Sequence, residues 1–130
     1  MKKRTIIILP IVLIILMHPY ILRADAIPTN FQAVQTFFGS PTNPVEASPG
    51  DKSVTINVVV QNWGSQTYSG LDATLWLRLP FTNITGGNTA RSYYSGSIPV
   101  GQTATLQFQL NIDSGAAVGS YQVLMSISYG

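Results

Sequence analysis

A run of alternating apolar and polar residues between two turn sequences constrains the fold of this chain more than any other feature. The turns are Pro-Gly-Asp at residues 49–51 and Asn-Trp-Gly at residues 62–64. Successive side chains of a β-strand point to opposite faces, so an apolar residue at every second position predicts a strand with one face in a hydrophobic core. The apolar positions of this run are Val54, Ile56, Val58 and Val60.

The same period of two recurs along the chain, at residues 70–79, 103–112 and 119–129. Residues 30–39 carry apolar side chains on both faces, which predicts a strand that is buried on both sides or crosses between sheets. A further strand is predicted at residues 91–98, after a loop or short edge strand that follows Pro80. No segment has a helical period. The pattern predicts an all-β fold, an Ig-like antiparallel β-sandwich of about seven strands.

The first 26 residues have the three-part organisation of a secretory signal peptide. Residues 2–4 are basic, residues 5–17 are apolar, and Ala24-Asp25-Ala26 is a small-residue cleavage site. We expect a signal-peptide helix here, cleavage after Ala26, and one Ig-like domain over residues 27–130. The alternative is an uncleaved anchor, although two prolines and a histidine interrupt an apolar run that is marginal for a spanning helix. If the segment is not cleaved, the protein contacts the membrane only through residues 1–26.

Removal of this leader changes the charge of the protein. The whole chain has a formal net charge of +2, but four of its seven basic residues lie in the leader. The remainder has Lys52, Arg78 and Arg91 against four acidic residues, a net charge of −1. Binding to nucleic acid depends on several basic side chains, so we expect no nucleic-acid partner. The small number of charged side chains suits either a protein that works in a medium of low pH, where carboxylates are protonated, or a protein whose surface is covered by glycans or neighbouring subunits.

The residue types of the mature part exclude most catalytic sites. It contains no His and no Cys, which excludes Ser–His and Cys–His nucleophile pairs and the usual zinc sites. Its acidic residues are scattered over turns and strand exteriors rather than paired, and they are Glu46, Asp51, Asp72 and Asp113. We therefore expect a non-enzymatic protein with no catalytic residue, no metal site and no cofactor.

Two groups of residues remain as candidate sites. Asn83-Ile84-Thr85 is an N-x-[ST] sequon, which in a secreted protein is a candidate glycosylation site at Asn83. Trp76, Tyr93 and Tyr94 are aromatic residues expected at the surface, where they would stack on sugar rings, contact a neighbouring domain or cover the edge of the core.

Five short motifs are spread over the chain. They are Phe-Phe-Gly at residues 37–39, the two turn sequences at 49–51 and 62–64, Pro-Val-Gly-Gln at 99–102 and the strand at 119–129. Together they resemble one repeat of the archaeal S-layer-like domain family, which belongs to the CARDB-type group of Ig-like cell-adhesion modules. The resemblance implies an extracellular or cell-surface protein with a role in the envelope or in adhesion. It also implies other envelope proteins or further Ig-like repeats as partners, and it identifies no catalytic residue.

Three functions are consistent with these observations. The first is a secreted structural or adhesion module of the archaeal cell envelope, as one repeat of a longer protein or as a free module. The second is a carbohydrate-binding module that uses Trp76 and the Tyr93–Tyr94 pair. The third is an extracellular filament subunit in which a strand completes the sheet of a neighbour, with residues 30–39 as the candidate donor.

Overall fold

A computed structural model describes residues 3–13 and 30–129 of the chain, with side chains for residues 5–9 and 30–129. Within these ranges the chain forms nine strands and no helix. The strands are β1 Lys3–Leu13, β2 Phe31–Ser40, β3 Asn43–Pro44, β4 Val54–Asn62, β5 Tyr68–Trp76, β6 Phe81–Asn83, β7 Thr89–Ile98, β8 Thr103–Ile112 and β9 Gly119–Tyr129. The predicted all-β class is confirmed.

Two antiparallel sheets pack face to face in a sandwich. The first sheet has the strand order β1-β9-β5-β7 and the second has the order β3-β2-β4-β8-β6. One hydrophobic core lies between them, and it is built from the inward positions of both sheets. Its largest fully buried side chains include Phe31, Phe81 and Phe108. Each buried aliphatic or aromatic side chain of this kind contributes about 1.5–3 kcal/mol to stability.

The strands with the clearest alternation match their predicted bounds. Strand β8 covers residues 103–112, and all five of its predicted inward side chains, from Ala104 to Ile112, are buried. Strand β9 covers residues 119–129 and buries Val123, Met125, Ile127 and Tyr129. In β4, Ile56, Val58 and Val60 have no exposed surface. Strands β8 and β9 have one face on the core and one face outward, and that arrangement produces a period of two. In β4 the other face is partly covered as well, because Asn57 is fully buried and donates to the Gly39 carbonyl.

In strand β2 the apolar residues do not follow one period of two, because a β-bulge changes which positions of the strand point toward the core. The register against β4 shifts between Ala33 and Gln35, so an extra residue is inserted at Val34. Phe31 and Phe38, which an uninterrupted strand would place on opposite faces, are both buried in the core, while Val34 is exposed. The strand stays in the second sheet over its whole length.

The two predicted turns around β4 are both present. Gly50 has a φ of +90°, a conformation that favours glycine, and the Asp51 carboxylate accepts a hydrogen bond from the Ser48 N–H at 2.8 Å. At the other end, the buried Asn62 side chain donates to the carbonyls of Gln66 and Ile98, both at 2.8 Å, and accepts from the Gly64 N–H. Asn62 therefore joins the end of β4 to the loop before β5 and to the end of β7.

The region after β5 differs from its prediction. The strand was expected to continue to Leu79, but β5 ends at Trp76, and Leu79 is 76% exposed. Phe81 then begins the three-residue edge strand β6, which pairs with β8. The loop between Pro41 and Pro44 also contains a two-residue strand, β3, paired with the end of β2. Strand β6 is the short edge strand that was one of the two expectations for this region. Strands β3 and β1 were not expected, so the structure describes nine strands where about seven were predicted.

Residues 3–13 form a strand instead of the predicted signal-peptide helix. Strand β1 pairs antiparallel with β9, from Lys3 opposite Tyr129 to Leu13 opposite Gly119. Its residues 5–8 are Thr-Ile-Ile-Ile, and β-branched side chains favour the extended conformation over the helix. The apolar edge of β9 supplies the backbone partners. The predicted cleavage point after Ala26 lies outside the described residues.

Candidate functional site

The outer face of the first sheet gathers several of the candidate side chains. Asp72, Thr74 and Trp76 alternate along β5 and point outward. The register places residues of β7 on one side of them and residues of β9 on the other. Together these side chains line a shallow depression of about 340 Å³, and the lining residues are Asp72, Thr74, Trp76, Thr89, Arg91, Ser126 and Ser128.

An ion pair lies across this depression. One guanidinium nitrogen of Arg91 donates to both carboxylate oxygens of Asp72, at 2.8 and 3.1 Å. The two side chains are 70% and 33% exposed, so water screens their attraction, and a surface pair of this kind contributes about 0–1 kcal/mol. The pair holds a charged donor and a charged acceptor side by side between two strands.

Trp76 forms one end of the depression. Its indole N–H donates to the Ser126 hydroxyl at 3.2 Å, which fixes the ring against the neighbouring strand, and 48% of the residue remains exposed. Leu124 lies opposite Trp76 on β9 and is also exposed. An exposed aromatic ring next to hydroxyl groups and an ion pair offers both a stacking surface and hydrogen-bonding groups to a polar ligand.

The two neighbouring tyrosines face opposite sides of the sheet. Tyr93 lies opposite Asp72 on the outer face and is 70% exposed. Tyr94 points inward and packs, partly buried, against the core. Trp76 is four positions after Asp72 on β5, and Tyr93 lies opposite Asp72, so Tyr93 and Trp76 are about 13 Å apart along the strand direction. The structure thus places Trp76 and Tyr93 on one surface and removes Tyr94 from it.

The side chain of Asn83 holds the loop between β6 and β7. Its Nδ2 donates to the Thr89 carbonyl at 2.8 Å. Its Oδ1 accepts from the N–H groups of Thr85 and Gly87 and from the Thr85 hydroxyl, at 2.7–3.0 Å. The amide nitrogen to which a glycan would be attached is therefore part of the contact that fixes the start of β7.

The edge of β9 is the feature that sequence interpretation missed. Strand β1 covers it, with Thr5 and Leu9 buried on the core side and Ile6 and Ile8 exposed on the outer side. The Thr5 hydroxyl lies 3.4 Å from the Tyr129 hydroxyl. The signal for a strand was the β-branched run at residues 5–8, but a signal peptide is apolar over the same residues.

The candidate donor strand of the filament hypothesis is already paired. Residues 31–33 and 35–38 pair with β4 in their own sheet. At the start of this strand, Phe31 packs against the rings of Tyr68 and Tyr129, with centroids 5.4 and 5.2 Å away. The Asn30 side-chain amide donates to both tyrosine hydroxyls, at 2.7 and 3.0 Å. Donation of this segment to a neighbour would break all of these contacts.

The described residues contain no group of three or more His, Cys, Asp or Glu side chains that are close enough to hold a metal ion. In the same part of the chain there is no helix of the length and apolarity needed to cross a membrane. A scan against protein-family models, a search of curated proteins and a search of solved structures each found no match to this chain.

Proposed function

We propose that this chain is a secreted, non-enzymatic structural or adhesion module of the archaeal cell envelope, with an Ig-like sandwich as its body. The observation that carries the proposal is the position of residues 3–13. A segment with the composition of a cleavable leader forms the outermost strand of the first sheet. When the leader is removed, a long sheet edge is left for a strand of another protein.

An open sheet edge joins proteins through backbone hydrogen bonds, which form with little dependence on side-chain identity. Proteins that act alone protect such edges with charges, prolines or short strands. The edge of β9 is 11 residues long and has none of these features. The module is therefore suited to association with other envelope proteins or with further Ig-like repeats, and this association is its function.

Cell fractionation of the native host, combined with N-terminal sequencing, tests this proposal. We expect the protein in the envelope or the medium, with Ile27 as its first residue. The variant Ala26→Tyr, which places a large side chain at the cleavage site, should accumulate as the uncut precursor. Recovery of the protein inside the cell with residues 1–26 attached would contradict the proposal.

A second candidate function, carbohydrate binding, is favoured by the depression on the outer face of the first sheet. It combines the exposed ring of Trp76 with the Asp72–Arg91 pair and two serine hydroxyls. The chain offers a matched control, because Trp63 is 60% exposed elsewhere, with its indole N–H donated to Gln61. Binding of soluble polysaccharides that is lost in Trp76→Ala and kept in Trp63→Ala would support this function. Equal binding by both variants would exclude this site.

A further inference from the structure

The outer face of the second sheet differs in its chemistry from the outer face of the first. None of the five strands of the second sheet contains a charged residue. Every outward side chain of β8 is a hydroxyl or an amide, and all but the last are exposed: Thr103, Thr105, Gln107, Gln109 and Asn111. The face therefore presents a row of neutral groups that both donate and accept hydrogen bonds.

A depression of about 240 Å³ lies beside this row, and we call it the second-sheet depression. Val59 of β4 lies between Gln35 of β2 and Thr105 of β8, so these three side chains form one row across the sheet. The lining is completed by one residue of the next row and by two residues of the loop after β2, namely Phe37, Pro41 and Pro44. Apolar surface is thus flanked by an amide on one side and a hydroxyl on the other.

A buried amide with an unused acceptor lies next to this depression. Asn57, two positions before Val59 on the same face of β4, has no exposed surface, and its Nδ2 donates to the Gly39 carbonyl. Its Oδ1 is buried as well and accepts no hydrogen bond from any described residue. Gly39 lies at the end of β2, on the side of Asn57 away from Val59, so the Oδ1 branch of the amide is turned away from Gly39. A buried acceptor without a donor is unfavourable, and a donor brought to it would remove that cost.

We propose that the second-sheet depression binds a neutral sugar. The C–H face of one sugar ring packs on Val59 and Phe37, and its hydroxyl groups exchange hydrogen bonds with Gln35 and Thr105. One hydroxyl group donates to the Asn57 Oδ1 when the side chains that cover this atom move apart. The row of hydroxyl and amide side chains on β8 continues from the depression, so further sugars of a linear chain lie along this strand.

Other ligand classes do not match this face. Phosphate groups and other anions are recognised by basic side chains, and Ca²⁺ needs carboxylates, whereas these strands have neither. An extended peptide adds to a sheet edge through free backbone groups. The second-sheet depression instead lies over β4, whose backbone is paired on both sides, so the ligand must be recognised by neutral side chains. A neutral sugar has the dense, uncharged hydroxyl groups that such side chains bind.

Calorimetric titration of the full chain with soluble oligosaccharides tests the proposal. The neutral probes are oligosaccharides of a mannan, a galactan and a β-glucan, and an oligogalacturonate is the charged comparison. We expect binding of at least one neutral probe, and weaker binding of the charged one. The proposal does not depend on removal of residues 1–26, so the uncut protein serves. Absence of binding to every neutral probe, or tighter binding of the charged probe, would overturn it.

A matched pair of variants locates the binding. Thr105→Val removes the hydroxyl from the second-sheet depression and keeps the branched shape, and it should weaken binding about two- to tenfold. Thr74→Val makes the same change in the depression of the first sheet, beside Trp76, and should bind as the parent does. Thermal melting shows that both variants are folded. Loss of binding in Thr74→Val, or unchanged binding in Thr105→Val, would overturn the proposed site.

Nuclear magnetic resonance tests the role of the buried acceptor. The side-chain amide signals of Asn57 should shift when the bound neutral probe is added to saturation. Those of Asn62 should stay in place, because this residue is equally buried on β4 but all of its side-chain groups have partners. Unchanged Asn57 signals in the saturated protein would overturn the contact with Oδ1. Envelope localisation without sugar binding would leave the proposed function standing while this inference fails.

Discussion

The two outer strands of the first sheet, β1 and β7, are held in place by different means. Strand β7 follows β6 after a short loop, is fixed at its start by Asn83 and at its end by Asn62, and carries an ion pair on its outer face. Strand β1 is separated from β2 by residues 14–30 and is held by pairing with β9. Among its described side chains, residues 5–9, Thr5 and Leu9 are buried, Ile7 packs against the core, and the Thr5 hydroxyl contacts that of Tyr129. Strand β7 is thus tied by side-chain hydrogen bonds to several other strands, whereas β1 depends mainly on its pairing with β9.

This difference indicates that β7 is required for the domain to fold, whereas β1 is an additional strand at the edge of a domain that can fold without it. The hydrogen bonds of Asn62 and Asn83 connect β7 to β4 and β6, and β7 pairs with β5 along its length, so loss of β7 would disrupt both sheets. Loss of β1 would expose part of the core at one side but would leave the order β9-β5-β7 and the whole second sheet unchanged. The comparison predicts that equal damage to the two edges has unequal consequences.

The largest effect is expected from a charge in the inner face of β7. Ile98 has no exposed surface and lies opposite Tyr68, so Ile98→Asp buries an unpaired carboxylate in the core. The cost of several kcal/mol is comparable to the whole stability of a domain, about 5–15 kcal/mol. We expect no cooperative melting transition in circular dichroism. Ser97→Asp, at the exposed neighbouring position, is the control and should melt normally.

The same substitution in β1 should have a smaller effect. Leu9 is also fully buried, but Leu9→Asp can release β1 into water while the rest of the sandwich stays folded. We expect a cooperative transition at lower stability, by about 2–5 kcal/mol, and rapid proteolysis within residues 3–13. Ile8→Asp, on the exposed face of the same strand, is the control. Complete unfolding of Leu9→Asp would show that β1 is as integral to the domain as β7.

The sequence predicted the parts of the fold in which one face of a strand meets the core and the other meets water. Strands β8 and β9 were predicted to the residue for this reason. Alternation failed in β2, because the bulge at Val34 reverses the facing, and in the short strand β6, which has too few residues to show a period. Because β7 is a strand, the consecutive residues Tyr93 and Tyr94 point to opposite faces of the sheet, which the prediction of both as surface residues did not take into account.

The neighbours of a strand were not predictable in this way. The Trp76 indole donates to Ser126 because β5 lies beside β9. The order of strands in a sheet cannot be predicted from the local sequence of each strand. The helix expected for residues 3–13 is absent from the structure for a related reason. An apolar segment is compatible with a leader helix and with a buried strand, and the choice depends on whether an apolar edge is available to pair with it.

A moderate effect is expected at the start of β7. Asn83→Ala removes one donor and one acceptor, and leaves the Thr89 carbonyl and two N–H groups of the loop without their partner. We expect a loss of about 1–3 kcal/mol in the free energy of unfolding, measured with denaturant. Asn88→Ala is the control, because its side chain is exposed in the same loop. Equal stability of the two variants would show that Asn83 does not fix β7.

The same residue tests the predicted glycan. Intact-mass measurement of the native protein and of Asn83→Gln should differ by the substitution alone if Asn83 serves only in the loop. A mass loss of the size of a sugar chain in Asn83→Gln would establish glycosylation, and the native protein would then carry its glycan beside the edge strand β7. The result shows whether the edge strand β7, which carries the charge of Arg91, also has a glycan beside it.

The smallest effect is expected from the ion pair that distinguishes the outer face of β7. Because Arg91 is largely exposed, Arg91→Ala should cost at most about 1 kcal/mol, and the cost should shrink in high salt. A double-mutant cycle with Asp72→Ala measures the pair separately from the other contacts of each side chain. A coupling well above 1 kcal/mol would make the pair a stabilising element of the domain. A small coupling would leave Arg91 with the role that charge has on an edge strand, which is to discourage the pairing that the uncharged edge of β9 invites.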